Sequence, residues 1–171
     1  MEMSANPPNR VSRAYIGMGG NQGDVTVTLR SAVSGLNRLG RVIAVSPVYV
    51  TEPVGVTEQP RFLNAVAELA TRLAPIDLLD GLLRIEADHG RVREQRFGPR
   101  TLDLDLLWYE GVAADGPRLT LPHPRAAQRE FVLRPLADLA PALVLGEDSV
   151  AALLERLPPL GVHPTGIALM P

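Results

Sequence analysis

The sequence predicts an α+β fold in which helices cover a single antiparallel sheet. Stretches of alternating apolar or β-branched residues predict four strands, and apolar residues at helical spacing predict two helices between them. Their order along the chain is strand, helix, strand, strand, helix, strand. A length of 171 residues, with 46% hydrophobic and 21% charged residues, suits one domain with a sizeable core.

The first strand and helix occupy the N-terminal part of the chain. Residues 13–18 (RAYIGM) read as a strand, and the glycine-rich run 19–23 reads as a tight turn into a helix with Asp24 as its N-cap. Counted from Gly17, the sixth position of a dinucleotide-binding G-x-G-x-x-G pattern is Gln22 instead of glycine, so the pattern is incomplete. Gly40 is placed to end the helix. The apolar positions of this helix are Val25, Leu29, Val33 and Leu36.

The second and third strands are separated by a loop. Residues 41–51 are rich in β-branched side chains, and Pro47 predicts an edge or a bulge there. Residues 52–60 contain prolines and a glycine and are long enough to act as a flap. Residues 61–71 read as the third strand, and a second helix is predicted over residues 75–89.

The fourth strand, residues 101–109, completes a ferredoxin-like βαββαβ core with an antiparallel sheet and both helices on one face. Residues 118–121 could add a strand to it. Residues 124–139 and 148–157 read as helices that cover the other face of the sheet. The predicted fold is therefore a ferredoxin-like core extended to a three-layer αβα sandwich.

The two ends of the chain differ from its centre. Residues 1–12 are polar, so we expect a flexible N-terminal tail followed by one domain over residues 13–171. The proline-containing stretch after Leu157 is expected to be irregular. No apolar run approaches the roughly 18 residues that a membrane-spanning helix needs, and residues 1–12 lack the apolar core of a signal peptide.

Two acidic side chains share one face of the fourth strand. Leu102, Leu104 and Leu106 alternate with two aspartates. The leucines therefore enter the core, while Asp103 and Asp105 lie together on the opposite face, with Cα atoms about 6–7 Å apart. Such a pair is either a solvated surface or a platform for divalent cations, because Mg²⁺ binds one or two carboxylates together with phosphate oxygens.

Residue usage excludes several kinds of chemistry. The chain has no cysteine, which excludes disulfides and cysteine nucleophiles and is compatible with a cytoplasmic protein. All 17 basic residues are arginine, so a lysine Schiff base and a Walker-type phosphate loop are impossible. The formal net charge of −2 gives no overall field that would attract nucleic acid or a membrane surface. A bound phosphate must be held by guanidinium groups, backbone N–H groups or metal.

An arginine-rich loop precedes the acidic strand. Runs of charge are usually solvated, but most of this run lies in a loop that ends at the aspartates. Arginines there are placed to close over a polyphosphate and to stabilise a transferring phosphoryl group. The run consists of Arg84, Arg91, Arg93, Arg96 and Arg100.

A histidine and three phenylalanines offer further contacts. His123, in the segment LPHPR, is either structural or a hydrogen-bond donor to a phosphate or ribose. Phe62, Phe97 and Phe131 are the only phenylalanines in the chain, and core packing is one explanation for each of them. It fits Phe97 least, because Phe97 lies between Arg96 and Gly98 in a polar loop. Alternatively, two such rings could stack a planar aromatic substrate, with Asn64 donating to and accepting from its edge.

Five segments together resemble the 6-hydroxymethyl-7,8-dihydropterin pyrophosphokinase family of folate biosynthesis. The most specific is RFGPRTLDLDLL at residues 96–107. The others are AYIGMGGNQGD, TEPVGVTEQPRFLNAV, RIEADHGRVR and LTLPHPRAAQREFVLRPL, in the family's order. The resemblance spans residues 14–141 and implies a three-layer αβα fold on a ferredoxin-like core.

The resemblance also implies the reaction, which moves the β,γ-pyrophosphoryl group of ATP to the hydroxymethyl oxygen of the pterin and releases AMP. Asp103 and Asp105 would hold two Mg²⁺ ions on the triphosphate, and Asp105 would lie near the attacking hydroxyl, whose proton it could accept. Arg91 and Arg100 would act with them in catalysis. The positions that match contacts to ATP are Arg91, Arg93, Arg96, Arg100, Arg118, Thr120, His123 and Arg129. The positions that match contacts to the pterin are Thr51, Pro53, Val54, Phe62, Asn64, Phe97 and Phe131.

Two positions depart from the family pattern, and two other functions stay open. Phe97 stands where some relatives have tryptophan, and Leu83 stands where some have a polar residue near the adenine. Another metal-dependent phosphoryl or nucleotidyl transferase could use the same core. An RNA-binding module would need exposed aromatic residues on a basic sheet, which the sequence does not offer. We expect small-molecule substrates, a monomer, and no nucleic-acid or membrane partner.

Overall fold

The structure is a computed structural model that describes residues 10–52, 58–90 and 101–170, and it has strands and helices in the predicted order around one antiparallel sheet. The strands are β1 (Ser12–Gly20), β2 (Arg41–Val45), β3 (Tyr49–Thr51), β4 (Phe62–Thr71), β5 (Asp103–Tyr109), β6 (Ala114–Asp115), β7 (Thr120–Leu121), β8 (Val144–Leu145), β9 (Asp148–Ser149) and β10 (Val162–Pro164). The helices are α1 (Val25–Leu39), α2 (Pro75–Asp88), α3 (Glu130–Leu139) and α4 (Val150–Arg156), with a 3₁₀ turn at Ala126–Gln128.

The main sheet has six strands, and β4 and β1 lie at its centre. Its order is β10-β3-β4-β1-β5, and β2 pairs with β4 next to β3. The longest pairing joins β1 to β4, from Ser12 opposite Thr71 to Gly20 opposite Leu63. Within the described residues, β5 therefore forms one edge of the sheet, and β10 and β2 lie at the other edge.

The single strand predicted over residues 41–51, with an edge or a bulge at Pro47, is divided into β2 and β3. Ser46 lies at the break. Its N–H donates to the carbonyl oxygen of Val66 at 2.9 Å, and its Oγ accepts from the Val66 N–H at 2.9 Å. The strand β4 thus keeps its hydrogen bonds across the break.

Apolar side chains pack on both faces of the sheet. On one face, α1 and α2 contribute fully buried leucines, among them Leu29 and Leu82. On the other face, α3 contributes Leu133 and Leu136, which pack with Tyr15 of β1. The sheet consequently has a helical layer on each side. Across the described residues, no helix has the length and apolar character that crossing a bilayer requires.

The predicted ends of α1 are confirmed. Asp24 Oδ1 accepts from the Val27 N–H at 3.3 Å, so Asp24 is the N-cap. The helix ends at Leu39, directly before Gly40. A Cβ atom at Gly40 would lie 2.3 Å from the carbonyl oxygen of Ala70, so glycine lets the helix end pass close to β4.

Two local predictions were wrong. The glycine-rich run was assigned to a turn, but Gly19 and Gly20 belong to β1, and the turn residue is Gly23 with a φ of +74°. The C-terminal stretch was expected to be irregular, but residues 162–164 form β10 on the edge of β3. The second error arises because residues 162–164 become a strand only by pairing with β3. This pairing satisfies the backbone N–H and C=O groups that the edge of β3 would otherwise leave exposed.

The short strands lie outside the main sheet. The predicted extra strand at residues 118–121 is found as β7, but it pairs with β6 in a separate two-stranded sheet. The predicted helices at 124–139 and 148–157 correspond to the 3₁₀ turn with α3 and to α4. The tail residues 1–9 lie outside the described residues.

Candidate active site

A cavity of about 730 Å³ lies on the face of the sheet that also carries α3. Its floor is a row of side chains that share this face on neighbouring strands. Asp103 lies opposite Gly19, and Gly19 lies opposite Asn64. Further along the floor, Phe62 lies opposite Thr51. The sheet register therefore places the acidic strand and the predicted pterin contacts in one cavity.

The two aspartates project from the same face of β5. Leu102, Leu104 and Leu106 are buried, with 0%, 4% and 3% of their surface exposed, whereas Asp103 and Asp105 are half-buried and line the cavity. This confirms the predicted division of the strand into a core face and an acidic face.

Gly17 and Gly19 keep the floor open between the acids and Asn64. Both residues line the cavity, opposite Asp105 and Asp103. A Cβ atom at Gly19 would lie only 2.5 Å from Oδ1 of Asn64. The sequence interpretation missed this role because it placed Gly17 in the first strand but assigned Gly19 to the turn that follows. The signal was their spacing of two residues, which puts both on one face of a strand.

The predicted pterin contacts within the described residues lie together. Asn64 Nδ2 donates to Thr51 Oγ1 at 2.8 Å, and both side chains are buried. Phe62 on β4 and Phe131 on α3 both line the cavity. The guanidinium carbon of Arg129 lies 5.5 Å from the centre of the Phe131 ring, within the range of a cation–π contact.

His123 lines the cavity in a fixed orientation. Its backbone N–H donates to the carbonyl oxygen of Leu107 at 2.8 Å, and its Nδ1 accepts from the Arg125 N–H at 3.2 Å. Burial lowers the pKa of His123, and the charge of Arg129 lowers it further. The ring is consequently neutral at pH 7, with its proton on Nε2.

Two of the predicted site residues that the structure describes lie outside the cavity. Arg118 makes an ion pair with Asp80 of α2, and Thr120 pairs with Asp115 between β7 and β6. Neither residue is among those that line the cavity. The following predicted residues lie outside the described residues: Pro53, Val54, Arg91, Arg93, Arg96, Phe97 and Arg100.

Several cavity residues were not predicted. They include Glu52, Arg125, Gln128, Glu130, Leu160 and Val162. Leu160 and Val162 follow the region of family resemblance, so no motif identified them. Glu130 had a signal, because it stands between Arg129 and Phe131, which were both predicted to contact substrates.

The two aspartates fit a magnesium site that is completed by a substrate. Within the described ranges, no three His, Cys, Asp or Glu side chains form a group that could hold a metal ion by themselves. Mg²⁺, however, is commonly bound by one or two carboxylates, with phosphate oxygens and water as the remaining ligands. Asp103 and Asp105 on one cavity wall provide that number of carboxylates.

Comparison with known proteins identifies the chemistry. A sequence model of the family described as 7,8-dihydro-6-hydroxymethylpterin-pyrophosphokinase (HPPK) matches residues 15–141. The chain belongs to the HPPK family. It is a pyrophosphokinase of folate biosynthesis and uses ATP as a substrate.

Two bacterial relatives support this membership over most of the chain. The 2-amino-4-hydroxy-6-hydroxymethyldihydropteridine pyrophosphokinase of Pseudomonas aeruginosa is 49% identical over 137 residues, which cover 79% of this chain and 85% of the relative. The protein of the same name from Methylorubrum extorquens is 47% identical over 155 residues, covering 90% of this chain and 98% of the relative.

The fold is also similar to solved HPPK structures. The wild-type HPPK-DHPS of Plasmodium falciparum, solved with pterin and p-hydroxybenzoate, superimposes with a TM-score of 0.70 at 16% sequence identity. The match covers 88% of this chain but only 44% of the Plasmodium chain, so this HPPK spans less than half of that protein. At this identity the likeness concerns the fold alone.

Proposed function

We propose that the cavity binds ATP and 6-hydroxymethyl-7,8-dihydropterin side by side and transfers the β,γ-pyrophosphoryl group of ATP to the pterin. One observation carries the proposal: a single cavity floor bears two carboxylates at one end and a hydrogen-bonding amide beside aromatic rings at the other. The first group suits a metal-bound triphosphate, and the second suits a flat heterocycle with polar edges.

At the ATP end, Asp103 and Asp105 would hold two Mg²⁺ ions, which would neutralise charge on the triphosphate. Arg91 and Arg100 grip the phosphates, because guanidinium groups form paired hydrogen bonds with phosphate oxygens. His123 donates from Nε2, since its Nδ1 already accepts from Arg125. The further ATP contacts are Arg93, Arg96 and Arg129. Arg118 and Thr120 would contact the part of ATP that extends beyond the residues lining the cavity.

At the pterin end, Phe62 and Phe131 stack on the two faces of the ring. Asn64 forms hydrogen bonds with the polar edge of the pterin ring. The amide of Asn64 is oriented by its hydrogen bond to Thr51. A buried amide that is already held in place rejects a ring with the wrong donors and acceptors, because mismatched polar groups would stay unpaired. Pro53, Val54 and Phe97 add contacts from the two segments that the sequence predicts to be loops.

The reaction needs no protein nucleophile. The hydroxymethyl oxygen of the pterin attacks the β-phosphorus, the bond from that phosphorus to the α,β-bridging oxygen breaks, and AMP leaves with that oxygen. The hydroxyl proton passes to the carboxylate of Asp105. The chain contributes positioning and charge stabilisation, which dominate catalysis of phosphoryl transfer.

We further propose that residues 13–171 form one catalytic domain on a ferredoxin-like core and that the enzyme is a monomer. The strand order β10-β3-β4-β1-β5 and the pairing of β10 with β3 support one domain. We also propose a cytoplasmic location, which suits a chain without cysteine.

A coupled AMP-release assay with ATP, Mg²⁺ and 6-hydroxymethyl-7,8-dihydropterin tests the proposal. We expect AMP and a pyrophosphorylated pterin in equal amounts, and no AMP when the pterin is omitted. Release of inorganic pyrophosphate would instead indicate nucleotidyl transfer. Salt-sensitive RNA binding without ATP would favour the RNA-binding alternative.

A further inference from the structure

The C-terminal segment 160–164 forms a wall of the active-site cavity, although it follows the family-matched region 15–141. Leu160 and Val162 both line the cavity. Val162 is buried and lies opposite Thr51 in the sheet. Leu160 has 52% of its surface exposed, so its side chain is accessible to a ligand in the cavity that it lines.

A buried carboxylate attaches this segment to α3. Glu130 is the first residue of α3 and is only 3% exposed. Its Oε2 accepts from the Leu160 N–H at 3.1 Å, and its Oε1 lies 3.7 Å from Nε of Arg134. An anion in the first turn of a helix is also favoured by the helix dipole. Glu130 therefore fixes the backbone of Leu160 at the start of α3, and the next residue of this helix is Phe131, which lines the same cavity.

The residues that follow Leu160 are fixed as well. Thr165 donates to the carbonyl oxygen of Val48 from its N–H at 3.1 Å and from its Oγ1 at 2.8 Å. The Val48 N–H in turn donates to the carbonyl oxygen of Ile167 at 3.0 Å. Leu169 is buried in the core. The segment is thus attached to the folded domain on both sides of β10.

The position of the segment favours the pterin over ATP as the ligand that it contacts. The strand β10 lies at the opposite edge of the sheet from β5, which carries the two aspartates. Its neighbours in the cavity are Thr51 on β3 and Phe131 on α3. Both residues belong to the proposed pterin end.

We propose that Leu160 contacts the pterin and that Glu130 is the positioning residue that holds Leu160 beside Phe131. This inference rests on the proposed function, since it concerns the same cavity and the same substrate. It adds a substrate contact from the C-terminal segment. It also explains why a buried acid, Glu130, stands between Arg129 and Phe131.

The Leu160→Ala variant tests the contact. We measure binding of 6-hydroxymethyl-7,8-dihydropterin by calorimetry in the presence of Mg²⁺ and α,β-methylene-ATP, and binding of the nucleotide analogue separately. The dissociation constant for the pterin should rise about 5–10-fold, as expected when half of a leucine side chain is no longer covered. Binding of the nucleotide analogue should stay unchanged. The matched control is Val144→Ala, because Val144 is 51% exposed and does not line the cavity.

Glu130 variants test the positioning role. Glu130→Ala should raise KM for the pterin several-fold and leave KM for ATP near its normal value. Glu130→Gln should restore most of the loss, because its amide oxygen can still accept from the Leu160 N–H. A merely structural role would change both KM values together and would lower the unfolding temperature in proportion.

The outcomes separate this inference from the proposed function. If the wild-type enzyme is active and Leu160→Ala binds the pterin with unaltered affinity, the inference is overturned but the proposed function is not. A wild-type chain that neither binds the pterin nor releases AMP overturns the proposed function and the inference with it. If Glu130→Ala fails to fold, the Leu160→Ala result decides the inference, since an exposed leucine can be shortened without loss of the core.

Discussion

At the scale of single residues, the active site depends as much on glycines as on charged side chains. Asp103 and Asp105 supply two carboxylates to one face of β5, and the facing positions on β1 are Gly19 and Gly17. Side chains at these two positions would fill the floor of the cavity. The floor of the cavity therefore has carboxylates on β5 and, beside them on β1, positions without side chains.

The aspartates should be essential for turnover and dispensable for folding. We expect Asp103→Asn and Asp105→Asn each to lower kcat by at least about 100-fold, the size of effect seen when one group that stabilises a transition state is removed. The thermal unfolding temperature should change little, because both side chains are half-buried at the cavity rather than in the core. AMP release and calorimetry measure the two quantities. Asp115→Asn is the control, since Asp115 is an exposed strand residue outside the cavity.

Gly19→Ala should impair pterin binding through Asn64. The new methyl group would lie 2.5 Å from Oδ1 of Asn64 and would force the amide to move. We expect KM for the pterin to rise about tenfold or more, because the moved amide no longer matches the edge of the substrate. Steady-state kinetics with each substrate varied in turn measure this effect. A normal KM for the pterin in this variant would show that Asn64 does not read the ring.

His123 gives the site a dependence on pH. Burial lowers its pKa below the usual value of about 6.5, so the folded chain binds this proton less tightly than the unfolded chain. The contribution of His123 to the free energy of unfolding should therefore fall as the pH drops below about 6.5 and stay constant above it. An NMR titration of the His123 ring should have its midpoint below 6.5. A midpoint above 6.5 in the substrate-free protein would contradict the burial argument.

At the scale of elements, the acidic strand is an edge strand that a helix supports. Glu86 of α2 is 3% exposed, and its Oε2 accepts from the Leu104 N–H at 2.8 Å. Leu104 stands between the two aspartates, and its N–H points away from β1 toward α2. Glu86 thus fixes the outer edge of β5 at the point where the proposed metal ligands lie.

Removal of the Glu86 carboxylate should affect stability and activity together. Glu86→Ala leaves a buried N–H without this acceptor, which costs about 1–3 kcal/mol of unfolding free energy. We also expect a lower kcat, because the strand that carries both aspartates is less well fixed. Glu86→Gln keeps an acceptor oxygen and should recover part of both losses. Urea unfolding and AMP release measure them, and a kcat unaffected in Glu86→Ala would contradict the supporting role.

The sequence predicted elements whose signal is local and missed those that depend on distant pairing. The strand β5 was predictable because leucine and aspartate alternate within seven residues, and α1 was predictable from Asp24 and Gly40. The strand β10 was not, because its three residues gain their structure only by pairing with β3, over 100 positions earlier in the chain. The same limit explains why Leu160 was missed as a cavity residue.

Site residues followed the same rule. The acidic pair, Asn64 and Phe131 carried recognisable motifs and do line one cavity. Arg118 carried a motif too, but the described structure pairs it with Asp80 of α2. The side-chain partner of an exposed arginine depends on folding of the whole loop and cannot be derived from spacing along the chain.

At the scale of the whole molecule, one sheet joins the two substrate ends of the cavity. The acids lie on the β5 edge, Asn64 and Phe62 on the central strand β4, and Val162 on the β10 edge. Because each strand is fixed to the next by backbone hydrogen bonds, the sheet holds these groups at constant separations. Such a fixed arrangement is what pyrophosphoryl transfer between two bound substrates requires.

The proposed function depends on the binding of divalent ions by Asp103 and Asp105 when ATP is present. Electron paramagnetic resonance with Mn²⁺ in place of Mg²⁺ tests it directly, because Mn²⁺ accepts the same carboxylate and phosphate ligands. With α,β-methylene-ATP bound, the wild-type protein should hold two Mn²⁺ ions per nucleotide, and the Asp103→Asn, Asp105→Asn double variant should hold at most the one that the nucleotide carries. An equal number of bound Mn²⁺ ions in both proteins would contradict the claim.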